Sequence, residues 1–150
     1  MKAYTVIANN GKKLPLKIIK QESSLQTISE QKYEQNFIQV KKILQKVVEK
    51  GTAKSARLDN FTSGGKTGTT RIYNHELKKY FSNRHRSIFV GMTPMNETKL
   101  VILVVIENPK NKKYYPFYGG IVAGPVFKRV ATESLSCLLY TSPSPRDETK

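Results

Sequence analysis

From residue 30 to residue 50 an apolar side chain recurs at every third or fourth position: Tyr33, Phe37, Val40, Leu44, Val47 and Val48. That period predicts an amphipathic helix whose other face carries lysines and glutamines. Ser29 stands where an N-cap belongs and Gly51 where a C′ glycine belongs. A second stripe, made by Val126, Phe127, Val130, Ala131, Leu135 and Leu138, predicts a closing helix over 125–138 with Pro125 in its first turn. Between the two, β-branched and apolar runs predict strands at 61–72, 87–93 and 99–107. The run "LVILVVI" at 100–106 is apolar on both faces, as in a strand that helices cover on at least part of each side. Pro94-Met95-Asn96-Glu97 separates the last two strands, so they should form an antiparallel hairpin. The weaker signals are a strand at 3–8 by propensity, ended by Asn9-Asn10-Gly11, and a short edge strand at 14–19 with Pro15 at its start. Residues 51–60, the polar and basic stretch 73–86, and 108–120 read as connections. This order of elements implies an α+β fold with an antiparallel sheet.

Composition narrows the picture without identifying a function. The chain has 150 residues, 38% hydrophobic and 25% charged, which suits one globular domain. Lys and Arg number 26 against 11 Asp and Glu, a net charge of +15 that favours an anionic partner: nucleic acid, acidic lipid or an acidic wall polymer. With Cys137 alone no internal disulfide can form, and His75 and His85 lack a supporting ligand pattern, so no metal site is expected. No segment reaches the ~18 apolar residues of a membrane span, and "MKAYTVIANNGKK" lacks the apolar core of a signal peptide.

The chemistry concentrates in "SGGKTGTT", residues 63–70. A phosphate-binding loop needs a glycine five residues before Gly65, and that position is Asn60. Gly68, Thr69 and Thr70 also disfavour the helix start that such a loop requires. The β-branched threonines instead predict a strand. On a strand edging a groove, a lysine supplies fixed positive charge and a threonine hydroxyl can bind a carboxylate. A glycine without Cβ lets a substrate backbone lie close, and a backbone N–H just beyond it can face a developing oxyanion.

The surrounding blocks sharpen this reading. "VVEKGTAKSARL", "GGKTGTT", "SIFVGMTP", "KLVILVVIENPK" and "YYPFYGGIVAGPVFKRV", together with "AYTVIANNGKKLPLKIIK" before them, resemble in order and spacing the C-terminal part of a class B penicillin-binding protein, over residues 1 to about 135. The similarity is greatest to the cell-division peptidoglycan transpeptidases, with the elongation branch close behind. It implies a partial serine β-lactamase/penicillin-binding-protein transpeptidase fold, an antiparallel sheet with packing helices, whose first strand and helical lobe lie outside this chain. It also implies that residues 2–9 are a helix ending at Asn-Gly, not a strand.

That family uses a Ser-x-x-Lys nucleophile, a Ser-x-Asn motif and Lys-Thr-Gly. Ser29-Glu30-Gln31-Lys32 is a literal Ser-x-x-Lys, but it lies only 37 positions before Lys66, no Ser-x-Asn occurs, and an N-cap role accounts for Ser29. The nucleophile is therefore expected upstream of Met1, and the chain alone should be inactive. The resemblance implies Lys66 and Thr69 as catalytic residues and Gly65, Thr67, Gly68 and Thr69 as substrate-binding residues. Lys66 would act electrostatically, Thr67 and Thr69 as carboxylate ligands, and the Thr69 N–H as an oxyanion donor, while Gly64 and Gly65 relieve crowding. It implies no metal or cofactor. The implied partners are peptidoglycan stem peptides, β-lactams bound covalently only by the full-length enzyme, and cell-division membrane proteins, with the catalytic domain on the outer face of the cytoplasmic membrane.

Two other readings stand beside it. Lys110, Lys112, Lys113, Tyr114, Tyr115 and Tyr118 interleave charge with aromatics as single-strand nucleic-acid binders do, yet no nucleic-acid-binding signature accompanies them, so no specific nucleic acid is expected. A β-lactamase or D,D-carboxypeptidase would share the fold and Lys-Thr-Gly, but "FVGMTP" and "YYPFYGGIVAGPVF" resemble the transpeptidases more. The expected organisation is a transpeptidase segment at 1–139 and a tail at 140–150. That tail is either disordered or foreign to the gene, since "CLLYTSPSPRD" resembles translated sequencing-adapter read-through.

Overall fold

A computed structural model describes residues 1–15, 33–110 and 117–140. Helices α1 (Lys2–Ala8) and α2 (Glu34–Glu49) precede a short 3₁₀ turn at Lys54–Ala56. Strands β1 (Gly64–Asn74), β2 (Lys79–Thr93) and β3 (Leu100–Glu107) follow, and α3 (Gly119–Tyr140) closes the chain. The strands form one antiparallel sheet in the order β1-β2-β3, so β1 is an edge strand among the described residues. The α+β expectation, the three strands and the β2–β3 hairpin are all present.

The main core lies where α3 crosses one face of the sheet. Ala123, Phe127, Ala131 and Leu135 recur every fourth residue and are buried, meeting Phe89 and Val104 on that face. Phe89 and Phe127 pack edge to face with ring centroids 4.9 Å apart. The other members of the sequence-derived stripe, Val126, Val130 and Leu138, point to solvent, because only the four-residue ridge faces the sheet. On the opposite sheet face a smaller cluster joins Ala8, Leu44, Met92 and Met95, with Val101 packed against it. Farther along β3, Leu103 and Val105 remain exposed on that face. "LVILVVI" is thus covered fully on one side and only at its Val101 end on the other.

Several expectations are corrected. Residues 3–8 form a helix despite their β propensity, as the family resemblance implies; the Gly11 N–H reaches back to the Val6 carbonyl at 2.8 Å and stops it. Leu14 and Pro15 form no strand, and the rest of the expected edge strand, like Ser29, lies outside the described residues. In α2 the buried side chains are Lys41, Leu44 and Val48, whereas Tyr33 and Val40 are exposed. Lys41 takes an inward position because its amine reaches the Ala8 carbonyl and Asn10 Oδ1, each at 3.4 Å, at the end of α1. Residues 73–86 are mostly strand: β1 and β2 continue as a ribbon whose turn is held by Asn74 Oδ1, which accepts the Glu76 and Leu77 N–H groups. Pro125 sits inside α3, which begins six residues earlier, at Gly119, and runs to Tyr140, the first residue assigned to the tail. Residues 141–150 lie outside the described residues.

Two measurements check this core. Phe127→Ala should cost about 3–5 kcal/mol in denaturant unfolding, while Val126→Ala, one residue away and exposed, should stay within about 0.5 kcal/mol. Burial pushes the Lys41 amine below its ordinary value of 10.5. The unfolded chain therefore holds more protons in the window just below that value, and stability relative to Lys41→Met should rise as pH climbs through it. A flat difference between the two proteins across alkaline pH would contradict this.

Candidate active site on the first strand

β1 presents Gly65, Thr67 and Thr69 on the face toward α3, and Lys66 and Gly68 on the other, because successive strand residues alternate. The strand carries no acidic residue. Lys66 is exposed, and its amine donates to the Thr67 carbonyl at 2.9 Å. The two threonine hydroxyls are both engaged. Thr67 Oγ1 lies 3.2 Å from Thr52 Oγ1, and Thr69 Oγ1 accepts the Gly119 N–H at 3.0 Å.

The second bond sets what Thr69 can do. With its oxygen occupied by an N–H, its hydroxyl hydrogen is free to donate outward. Gly119 is the first residue of α3, so the positive end of that helix faces the same hydroxyls. Thr67, Thr69, the helix terminus and the Lys66 amine together make an electropositive, donor-rich strand edge, which is what a carboxylate needs.

The approach of α3 to this strand is unusually close, and glycine is what permits it. A Cβ on Gly119 would stand 2.2 Å from the Ile88 carbonyl oxygen and 2.5 Å from that of Gly68. One on Gly120 would stand 2.0 Å from the Thr52 carbonyl oxygen. Ser87, fully buried in β2, donates to the Phe117 carbonyl and fixes the chain two residues ahead of the helix. The Ser55 hydroxyl donates to the Gly120 carbonyl from the other side. These glycines read as part of a loop in the sequence, and the helix begins there because the strand backbone leaves no space for a larger residue.

Among the sequence-derived residues, Thr67 and Thr69 are brought together beneath α3, and Lys66 stands on the opposite face of the same strand. Gly65 is packed inside: a Cβ there would meet the Val90 carbonyl oxygen at 2.4 Å. Gly68 is different, since its Cβ would find only ordinary contact, 3.5 Å from Ile88. Nothing among the described residues demands a glycine at 68, so the surface there is open. Thr52, Ser55, Gly119 and Gly120 were not singled out by sequence reasoning as part of the site. The only signal was the recurrence of "KGTAKSA" and "YYPFYGG" beside Lys-Thr-Gly. Of the aromatic and basic residues weighed for nucleic acid, Lys112, Lys113, Tyr114 and Tyr115 lie outside the described residues.

The profile of the penicillin-binding protein transpeptidase domain matches residues 1–132. The chain belongs to this transpeptidase family. It is 34% identical over 138 residues to the probable peptidoglycan D,D-transpeptidase PenA of Neisseria gonorrhoeae, covering 91% of this chain and 23% of that protein. It is 31% identical over 137 residues to the peptidoglycan D,D-transpeptidase FtsI of Buchnera aphidicola, covering 88% of this chain and 23% of that protein. Among solved structures, the transpeptidase domain of Burkholderia pseudomallei penicillin-binding protein 3 superposes with a TM-score of 0.78 at 29% identity, over 91% of this chain and 40% of that one. The chain thus spans about a quarter of the length of these two curated relatives and two-fifths of the solved transpeptidase domain. The family match accounts for the partial sheet.

Within this transpeptidase segment, Thr69→Val should cost about 1 kcal/mol in denaturant unfolding by stranding the Gly119 N–H. Thr70→Val, whose exposed hydroxyl bonds only the Arg71 carbonyl, should change stability by less than about 0.5 kcal/mol. Gly119→Ala should cost more than Thr69→Val, since its Cβ meets backbone that cannot withdraw. Equal effects at 69 and 70 would argue against the α3 contact.

Proposed function

We propose that this chain is the Lys-Thr-Gly-bearing C-terminal segment of a peptidoglycan D,D-transpeptidase of the cell-division type. The observation that carries the reading is the strand β1, on which Thr52 and Gly119 hold Thr67 and Thr69 on one face while Lys66 stands exposed on the other. The similarity to peptidoglycan D,D-transpeptidases supports the reaction class. On this reading the segment spans 1–139, and the 140–150 tail plays no part in catalysis.

In the proposed reaction, a serine from a Ser-x-x-Lys motif elsewhere in the complete protein attacks the penultimate D-Ala carbonyl of a donor stem peptide. An ester forms, the D-Ala–D-Ala amide breaks, and the terminal D-Ala leaves with a proton on its nitrogen. An amine of a neighbouring stem peptide then displaces the serine. Thr67 and Thr69 hold the donor's terminal carboxylate through charge-assisted hydrogen bonds. Lys66 adds positive charge near the nucleophile, the Thr69 N–H faces the developing oxyanion, and Gly68 leaves room for the donor backbone. Gly65 serves this geometry by packing, not by touching substrate. A β-lactam would mimic the donor and stay as the ester. Cell-division membrane proteins are the proposed partners and the outer face of the cytoplasmic membrane the proposed location; among the described residues no helix is long and apolar enough to cross a membrane.

The complete gene product should carry a Ser-x-x-Lys and then a Ser-x-Asn upstream and should be labelled by fluorescent penicillin. Lys66→Ala should slow that acylation by about a hundredfold or more, the scale on which a preorganised electrostatic group acts. The 150-residue chain alone should not label. Labelling of the isolated chain that disappears in Ser29→Ala would overturn the assignment.

A further inference from the structure

β3 pairs with β2 only from Thr93 to Arg86, where Arg86 meets Glu107. Just beyond that point the Asn108 N–H still donates to the His85 carbonyl at 2.8 Å and the His85 ring lies 6.2 Å from that of Phe117; from there the β1–β2 ribbon continues, with Arg71 opposite His85 and Tyr73 opposite Tyr80, and turns at 75–78. This two-stranded arm has no helix behind it and no third strand beside it among the described residues. An isolated two-stranded ribbon is marginal in water, so its side chains are informative. Tyr73 packs edge-on against both Tyr80 and His75, with centroids 5.2 and 5.1 Å apart, and the Arg84 guanidinium lies 4.3 Å from the Phe81 ring centroid. The rings hold the arm together yet stay in solvent: Tyr80 is 61% exposed and Tyr73 39%.

The arm is also strongly basic. Arg71, Lys78, Lys79 and Arg84 stand on it against a single acid, Glu76, and none of the four makes a salt bridge among the described residues. The rings stabilise the hairpin and still stay open to solvent, beside cations that form no ion pair with an acid among the described residues. They suit a ligand that offers flat apolar faces and negative charge together.

We infer that the arm formed by residues 71–85 is a docking element for the wall polymer itself, a chain of sugar rings whose peptide stems carry carboxylates. The rings would stack on Tyr73 and Tyr80, and the carboxylates would pair with Arg71, Lys78 and Lys79. This rests on the function proposed above and extends it from the reacting end of the substrate to its polymer. The placement fits, because the arm continues the same strand that carries Thr67 and Thr69. From Thr69 to Asn74 the strand advances about 17 Å, at roughly 3.3 Å per residue. An extended stem peptide of about five residues spans a similar length. A stem whose terminal carboxylate reaches Thr67 and Thr69 therefore places its glycan near the arm.

The test uses the complete gene product and two readouts, acylation by fluorescent penicillin and cosedimentation with purified cell-wall sacculi. A charge variant, Arg71→Gln with Lys78→Gln and Lys79→Gln, leaves the ring cluster intact. A ring variant, Tyr80→Ser, removes the more exposed tyrosine. Both should keep wild-type acylation, which also reports that the domain is folded. The charge variant should lose about tenfold in sacculus affinity, as removal of three modest surface attractions predicts, and added salt should weaken wild-type binding toward the same level. Wild-type sacculus binding by both variants would overturn the inference. So would arm-dependent binding of a single-stranded oligonucleotide with sacculus binding unchanged. If the wild type bound sacculi through the arm but never acylated, the arm would stand and the transpeptidase reading would fall.

Discussion

Backbone lies directly on backbone where the first turn of α3 meets strands β1 and β2. Gly119 and Gly120 sit within a methyl's width of the carbonyls of Ile88, Gly68 and Thr52, and the Gly119 N–H ends on the Thr69 hydroxyl. Once this contact is set, much else follows. The register of α3 along the sheet places Ala123, Phe127, Ala131 and Leu135 against Phe89 and Val104. Ser87 and Ser55 then have their carbonyl partners at Phe117 and Gly120. The hydroxyls of Thr67 and Thr69 are left oriented by neighbours that belong to the fold, so the strand edge is preorganised before any ligand arrives.

How much of this could be read from residues alone depended on what each residue was doing. The strand containing Lys66 was legible because β-branched threonines favour a pleated backbone and Asn60 excluded a phosphate loop. The helix at 34–49 was legible from its period, and Leu44 and Val48 of its stripe do face inward, but the place of Lys41 on that face was not, because a hydropathy pattern assigns lysine to solvent. Its amine is buried only by virtue of Ala8 and Asn10, more than thirty residues away in the chain. Long-range partners of that kind leave no local trace.

The other two failures have the same root. Residues 73–86 looked like a connection because they lack a buried face, and the arm they form is stabilised by cross-strand rings instead of a core. The glycine pair at 119–120 looked like loop material because glycine usually weakens helices. Here the cost is accepted for the sake of contact with β1 and β2, and Pro125 misplaced the helix start by six residues. The family block "YYPFYGGIVAGPVFKRV" drew attention to the glycine pair, while no such block covers 73–86.

The bond between Thr69 and Gly119 joins residues fifty positions apart, and this has a consequence for synthesis. A ribosome completes the sheet, including every residue of the Lys-Thr-Gly edge, before the helix that orients its hydroxyls has been made. During that interval the strand can exist with the Thr69 hydroxyl not yet met by Gly119 and the Phe89 face uncovered. The helix that engages the Thr69 hydroxyl is thus made after the strand it meets, so the ordering of that hydroxyl arrives in step with closure of the core.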